Sequence, residues 1–130
     1  MSARGSAEEK PAGHRVLIVG DEESMRLFLA RILTTVLKVE VMLAGTSEQA
    51  LRLAGTYAFD AIVLDLLMPG IGGFEVLKEL RRASPNAATP VIIASALADK
   101  ATRDRCLRAG ATAYLVKPVE RNSLDRKSVV

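Results

Sequence analysis

Short apolar runs alternate with amphipathic stretches from Val16 to Val116. Val16-Leu17-Ile18-Val19, Ala61-Ile62-Val63-Leu64, Pro90-Val91-Ile92-Ile93-Ala94 and Ala113-Tyr114-Leu115-Val116 are nearly unbroken and rich in β-branched residues. Runs of this length read as strands buried on both faces of a parallel sheet. Residues 39–43 alternate weakly and read as an outer strand. Between the strands the period changes. Met25, Phe28, Leu29, Ile32, Leu33, Val36 and Leu37 recur at three and four, one broad helical stripe. Acids at its start suit the positive end of the helix dipole. Thr46-Ser47-Glu48-Gln49 is a capping box for a helix running through Ala54, with Gly55 placed to end it. Residues 74–83 predict a third helix with Phe74, Leu77 and Leu80 inward, closed by Ser84-Pro85-Asn86. Residues 99–109 predict a fourth, capped by Gly110. Its apolar stripe is thin, so it is expected to be the least firmly held. Cys106 reads as its buried small apolar residue. A fifth helix, capped by Asn122 or Ser123, has only Leu124, Val129 and Val130 as clear apolar residues. It is expected to be short or truncated and to leave a sheet face under-covered. Either the chain is cut from a longer protein or a homodimer supplies the cover.

Five strands alternating with helices through short connections specify an α/β fold, a parallel sheet wound by right-handed crossovers with helices on both faces. The 130 residues suffice for one domain with a substantial core. Residues 1–14, polar and small, are expected to be a disordered leader, and residues 15–130 the domain. No apolar run approaches the ~20 residues of a membrane span, and no signal peptide is visible. The single Cys106 excludes an internal disulfide framework and suits a reducing cytoplasm. The single His14 lies in the leader, which leaves no histidine metal site or Ser/His catalysis within the fold. The net charge of +3 is uneven, with eight Lys/Arg against three acids from Lys100 onward. Such a surface could meet nucleic acid or an acidic partner. With 4% aromatic residues and no Trp, stacking platforms for single strands are lacking, and solvated helix faces explain most of the charge.

Chemistry concentrates at the strand ends. In a parallel sheet every carboxyl end lies on one edge, where ligands bind in open α/β folds. Four of the five strands end there in a functional side chain: Asp21, Asp65, Ser95 and Lys117. With strand order 2-1-3-4-5, the first and third strands adjoin and their aspartates converge. Two such carboxylates repel unless a cation lies between them, and few, water-exposed oxygen ligands suit Mg²⁺. A hydroxyl and an ammonium opposite suit the oxygens of a phosphoryl group.

Taken together, Val16-Leu17-Ile18-Val19-Gly20-Asp21-Glu22, Asp65-Leu66-Leu67-Met68-Pro69-Gly70, Ser95-Ala96 and Tyr114-Leu115-Val116-Lys117-Pro118 resemble the receiver domain of two-component response regulators, chemotaxis regulators among them. The resemblance covers about residues 15–124 and implies a flavodoxin-like doubly wound sheet. It implies that Asp65 accepts a phosphoryl group from a phosphohistidine of a histidine kinase or phosphotransfer protein. Asp21, Asp65 and the backbone carbonyl of Leu67 would bind Mg²⁺. Ser95 would hydrogen-bond the attached phosphoryl group. Lys117 would pair with Asp65 or with the phosphoryl oxygens, and Lys117-Pro118 would be cis. Tyr114 would swing inward as Ser95 moves, altering a face read by a downstream effector or output domain. Such a domain promotes its own phosphorylation and dephosphorylation without being a turnover enzyme. It would be cytoplasmic and would not itself be expected to bind nucleic acid.

Gly20 departs from the pattern, since most receivers carry an acidic pair there. Losing an outer acceptor predicts weaker Mg²⁺ binding and slower transfer. Gly72, where aspartate is common, is expected to affect loop capping only. Gly20 also favours a second reading, a phosphorylation-independent pseudo-receiver that acts as a protein-interaction module. A flavodoxin-like cofactor binder is a third, but it would need a Ser/Thr/Gly-rich loop after the first strand. The loop here is acidic.

Overall fold

The computed structural model describes residues 14–20, 22, 39–67 and 71–116, together with residues 26, 27, 30, 31 and 34. The sheet comprises β1 (Arg15–Val19), β2 (Glu40–Ala44), β3 (Ala61–Asp65), β4 (Val91–Ser95) and β5 (Ala113–Val116). Three helices are interleaved: α1 (Ser47–Thr56), α2 (Gly73–Ala83) and α3 (Lys100–Arg108). All pairings are parallel, in the order β2-β1-β3-β4-β5. This is the 2-1-3-4-5 order of the doubly wound reading. The described residues between 26 and 34 are helical, as expected. The stripe residues of that helix lie outside the described set, as do the leader to residue 13, the Lys117-Pro118 bond and the fifth helix.

Side chains alternate across each strand, and the register stacks like with like. Leu17 pairs with Ile62, which pairs with Val91; Val19 pairs with Leu64, which pairs with Ile93. These six are 2% exposed or less and face the core layer beneath α1, α2 and α3. Ala50 and Ala54 of α1, Val76, Leu77 and Leu80 of α2 and Cys106 of α3 complete that layer. Each buried Leu, Ile or Val contributes about 2 kcal/mol of transfer free energy. Val16 and Ile18, which alternate with Leu17 and Val19, are buried as well, so β1 is covered on both faces.

The local signals differ from the sequence reading in three places. Gly55 does not end α1; the helix continues to Thr56 and stops at extended Tyr57. A Cβ at Gly55 would meet nothing within 4 Å, so the glycine answers no steric demand and the extended Tyr57 ends the helix. The capping box is present but displaced. Thr46 Oγ1 accepts from Gln49 N–H at 3.1 Å, while Gln49 Oε1 reaches one residue further back, to Gly45 N–H. Phe74 stands at the edge of the core rather than inside it, and Val76 takes the buried place. The reason lies in α3: Arg105 sets its guanidinium 3.9 Å from the Phe74 ring centre. That contact rewards a half-exposed ring. Cys106 is buried as expected, and burial pushes its thiol up.

Three polar ties organise the amino-terminal rim of the sheet. Asn86, fully buried, accepts from Phe59 N–H (2.8 Å) and the Thr89 hydroxyl (3.0 Å). It donates to the carbonyls of Ala54 (2.7 Å) and Tyr57 (2.8 Å). Arg81 donates to the carbonyls of Gly110, Asn86 and Ala87, fastening the end of α2 to two loops. Its partner Gly110 has φ +114°, and a Cβ there would stand 3.0 Å from the Arg81 side chain. The positive φ favours glycine, and a side chain there would also press on Arg81. Arg15 opens β1, bonded to Glu40 and stacked at 4.9 Å on Tyr57.

Candidate functional site

The carboxyl rim carries the candidate chemistry. Asp65 is the last residue of β3, pairs in register with Ala94 and is 6% exposed. Its Oδ1 accepts the backbone N–H of Leu67 at 3.1 Å, a turn that fixes the carboxylate at the mouth of the loop. The loop returns tightly. Gly73 N–H donates to Leu66 O at 2.9 Å, and a Cβ on Gly73 would stand 2.3 Å from the Asp65 carbonyl oxygen. Only glycine lets α2 begin so close to Asp65. Ser47 of α1 donates its hydroxyl to the Ile71 carbonyl and holds the loop from the other side.

Gly20 extends β1 by one step, its N–H bonded to Ala44 O at 2.9 Å. A Cβ on it would lie 3.5 Å from Asp65 Cβ and 3.6 Å from Asp65 Oδ2. The first and third strand ends therefore do meet, side by side. The residue facing Asp65 across that junction lacks a side chain. Its carbonyl accepts from the Arg26 guanidinium, which also stands over Gly45.

Ser95, at the end of β4, is fully buried, and its Oγ accepts Leu97 N–H at 3.1 Å. The Leu97 carbonyl in turn accepts the Tyr114 hydroxyl at 2.7 Å. One residue's peptide groups thus link the serine and tyrosine side chains, a connection no periodicity discloses. Val116 pairs in register with Ser95, and both Leu115 and Val116 are more than half exposed. Asp65, Ser95, Leu67 and Tyr114 are all placed on or beside this rim. Asp21 and Lys117 lie outside the described residues. Among the described residues no group of three His, Cys, Asp or Glu could hold a metal ion, and no helix is long and apolar enough to cross a membrane.

A parallel 2-1-3-4-5 sheet with a buried aspartate at the end of its central strand defines a class: a flavodoxin-like domain with an acidic rather than a phosphate-cradling rim. The sequence pattern of the response regulator receiver domain matches residues 16–128, and the chain belongs to that family. It is 39% identical over 121 residues, 92% of its length, to the transcriptional regulatory protein TcrA of Mycobacterium tuberculosis, of which it covers 46%. The chain spans less than half the length of the curated relatives it matches. Chemotaxis protein CheY4 of Vibrio cholerae superposes with TM-score 0.77 at 30% identity, covering 91% of this chain and 98% of that one. The receiver domain of a sensor histidine kinase of Pseudomonas aeruginosa, solved with magnesium in its active-site cleft, gives 0.74 at 32% identity, covering 89% and 94%.

Proposed function

We propose that this receiver domain is a phosphorylation switch whose acceptor is Asp65. The observation that carries the reading is the Asp65 carboxylate, nearly buried at the rim, with Oδ2 toward Gly20 and Oδ1 held by Leu67 N–H. A carboxylate oxygen attacks the phosphorus of a phosphohistidine on a histidine kinase or phosphotransfer protein. The O–P bond forms as the P–N bond breaks, and the imidazole leaves. Phosphoryl transfer asks chiefly for positioning and neutralisation of charge. The loop pinned by Gly73 and Ser47 supplies the positioning.

The donor chemistry suits a hard divalent cation. Asp65 gives one carboxylate, and Asp21 and the Leu67 carbonyl would complete an oxygen set for Mg²⁺. Bound there, the ion would neutralise charge on the transferring group. Lys117 would pair with the phosphoryl oxygens. Ser95 would exchange its bond to Leu97 N–H for one to the phosphoryl group. The Ser95–Leu97–Tyr114 link supports a path from that exchange to Tyr114 and the face around β5. An output domain or separate effector would read that face.

Incubation with Mg²⁺ and acetyl phosphate, followed by intact mass, tests the reading. We expect one phosphate adduct, absent in Asp65→Asn. No adduct at saturating Mg²⁺ would overturn it in favour of a phosphorylation-independent interaction module.

A further inference from the structure

We propose that Arg26 is a positioning residue for Asp21, setting the strand end that would hold the divalent cation beside Asp65; the inference rests on the Mg²⁺ reading above. The sheet ladder shows why such a residue is needed. Rungs between parallel strands are evenly spaced, and the N–H and carbonyl of one strand residue point to the same neighbour. Gly20 N–H takes its rung on Ala44 O at 2.9 Å, so its carbonyl also faces β2. There the chain has already left the sheet. Gly45 N–H turns to Gln49 Oε1 at 2.9 Å, and Thr46 caps α1. Arg26 supplies the missing donor. Its guanidinium bonds the Gly20 carbonyl and lies against Gly45, where a Cβ would stand 3.2 Å from Nη1. Among the described residues that carbonyl is the guanidinium's only hydrogen-bond acceptor.

The bond matters because residue 20 is glycine. A peptide group is planar, so the Gly20 carbonyl belongs to the same rigid unit as the nitrogen of residue 21. Glycine lacks the Cβ that narrows φ and ψ elsewhere, and the single rung on its N–H leaves that unit free to turn. Arg26 holds it from further along the chain. Its own N–H donates to Glu22 O at 3.1 Å, so residues 20 and 22, on either side of the candidate ligand, are both tied to Arg26. The planar fork of arginine suits the task, since little freedom is lost per bond made. The guanidinium works on the peptide and not on the acceptor: a Cβ at Gly20 would have Asp65 within 4 Å and no atom of Arg26. Charge and geometry then act in opposite senses. A positive group alone would repel a nearby cation, whereas a residue that positions Asp21 favours it.

The experiment separates the two senses. Mg²⁺ is titrated into the full, unphosphorylated chain by calorimetry, and initial rates with acetyl phosphate are followed as a function of Mg²⁺. Arg26→Met keeps the stem and removes charge and donors; Arg26→Lys keeps the charge and loses the fork. Arg26→Met is expected to weaken Mg²⁺ binding about tenfold, the scale on which groups behind a metal ligand act, and Arg26→Lys to weaken it less. The Mg²⁺ concentration for half-maximal rate should rise in step, with the rate at saturation retained. Gly20→Ala stiffens the same peptide and should shrink the effect of Arg26→Met. Urea unfolding shows whether Arg26→Met is folded; should it not be, Arg26→Lys carries the same expectation in smaller degree. Tighter binding by Arg26→Met, affinity unchanged in both variants while the parent binds, or an undiminished effect of Arg26→Met in Gly20→Ala would each overturn the inference and leave the Mg²⁺ reading standing. A parent chain that binds no Mg²⁺ would overturn both.

Discussion

At Gly20 a single missing side chain bears directly on the chemistry. The position adjoins Asp65, and a Cβ there would make ordinary van der Waals contact with it. The Cβ of an aspartate installed at residue 20 thus meets no steric objection and would stand beside Asp65, the proposed acceptor. Gly20→Asp is expected to tighten Mg²⁺ binding about tenfold, in line with the effect of outer-sphere partners on metal sites. Calorimetric titration of both proteins decides it, and equal affinities would refute the link. Gly73 is the opposite case. Its absent Cβ is a requirement, since the Asp65 carbonyl occupies the space. The sequence named Asp65 and Ser95 because a polar residue ending an apolar run is conspicuous. It did not disclose the second duty of Leu97, whose peptide N–H and carbonyl join Ser95 to Tyr114, because backbone groups carry no sequence signature.

Among the described helices, α3 buries the fewest residues. Cys106 is its only fully buried residue. Its start depends on Asp99, which accepts from the Thr102 hydroxyl (2.7 Å) and N–H (3.0 Å). Those bonds, the side-chain one foremost, hold the Asp99 carboxyl below its ordinary value. A lowered folded value means the cap is complete above the usual carboxylate range and is lost as pH falls through the depressed one. Cys106, with its thiol pushed up by burial, reports the opening. Alkylation of Cys106 is expected to be slow at neutral pH and to proceed through opening of α3. Asp99→Ala should accelerate it, and rates unchanged by that substitution would show that α3 is held by something other than its cap. Periodicity located all three described helices to within a residue or two. It misjudged the end of α1 because glycine permits termination without compelling it. It placed Phe74 inward, and the ring does pack against the core, but one stripe cannot reveal the arginine from another helix that meets its half-exposed side.

For the molecule as a whole, the parallel sheet and its strand order were legible because four nearly unbroken apolar runs and one weakly alternating strand, joined by short crossovers, admit few topologies; the register was supplied by the structure. The amino-terminal rim was not legible. Asn86 read as turn punctuation and Arg81 went unremarked, yet Asn86 gathers the carbonyls of Ala54 and Tyr57 and Arg81 reaches that of Gly110, all distant in sequence. Asn86→Ala would strand Phe59 N–H and two buried carbonyls. It is expected to cost about 3 kcal/mol, measured by urea unfolding. In native buffer, the fraction that accepts phosphate from acetyl phosphate should remain that of the parent protein. A loss of acceptance in folded Asn86→Ala would mean that the two rims are coupled.

Because all five strands run the same way, the side-chain braces of Asn86, Arg81 and Arg15 gather at one margin of the sheet and the candidate site residues Asp65 and Ser95 at the other. The braced margin is placed like the spine of a book, and the candidate site like its fore-edge. Durability and the candidate chemistry are thereby lodged at separate margins of one sheet.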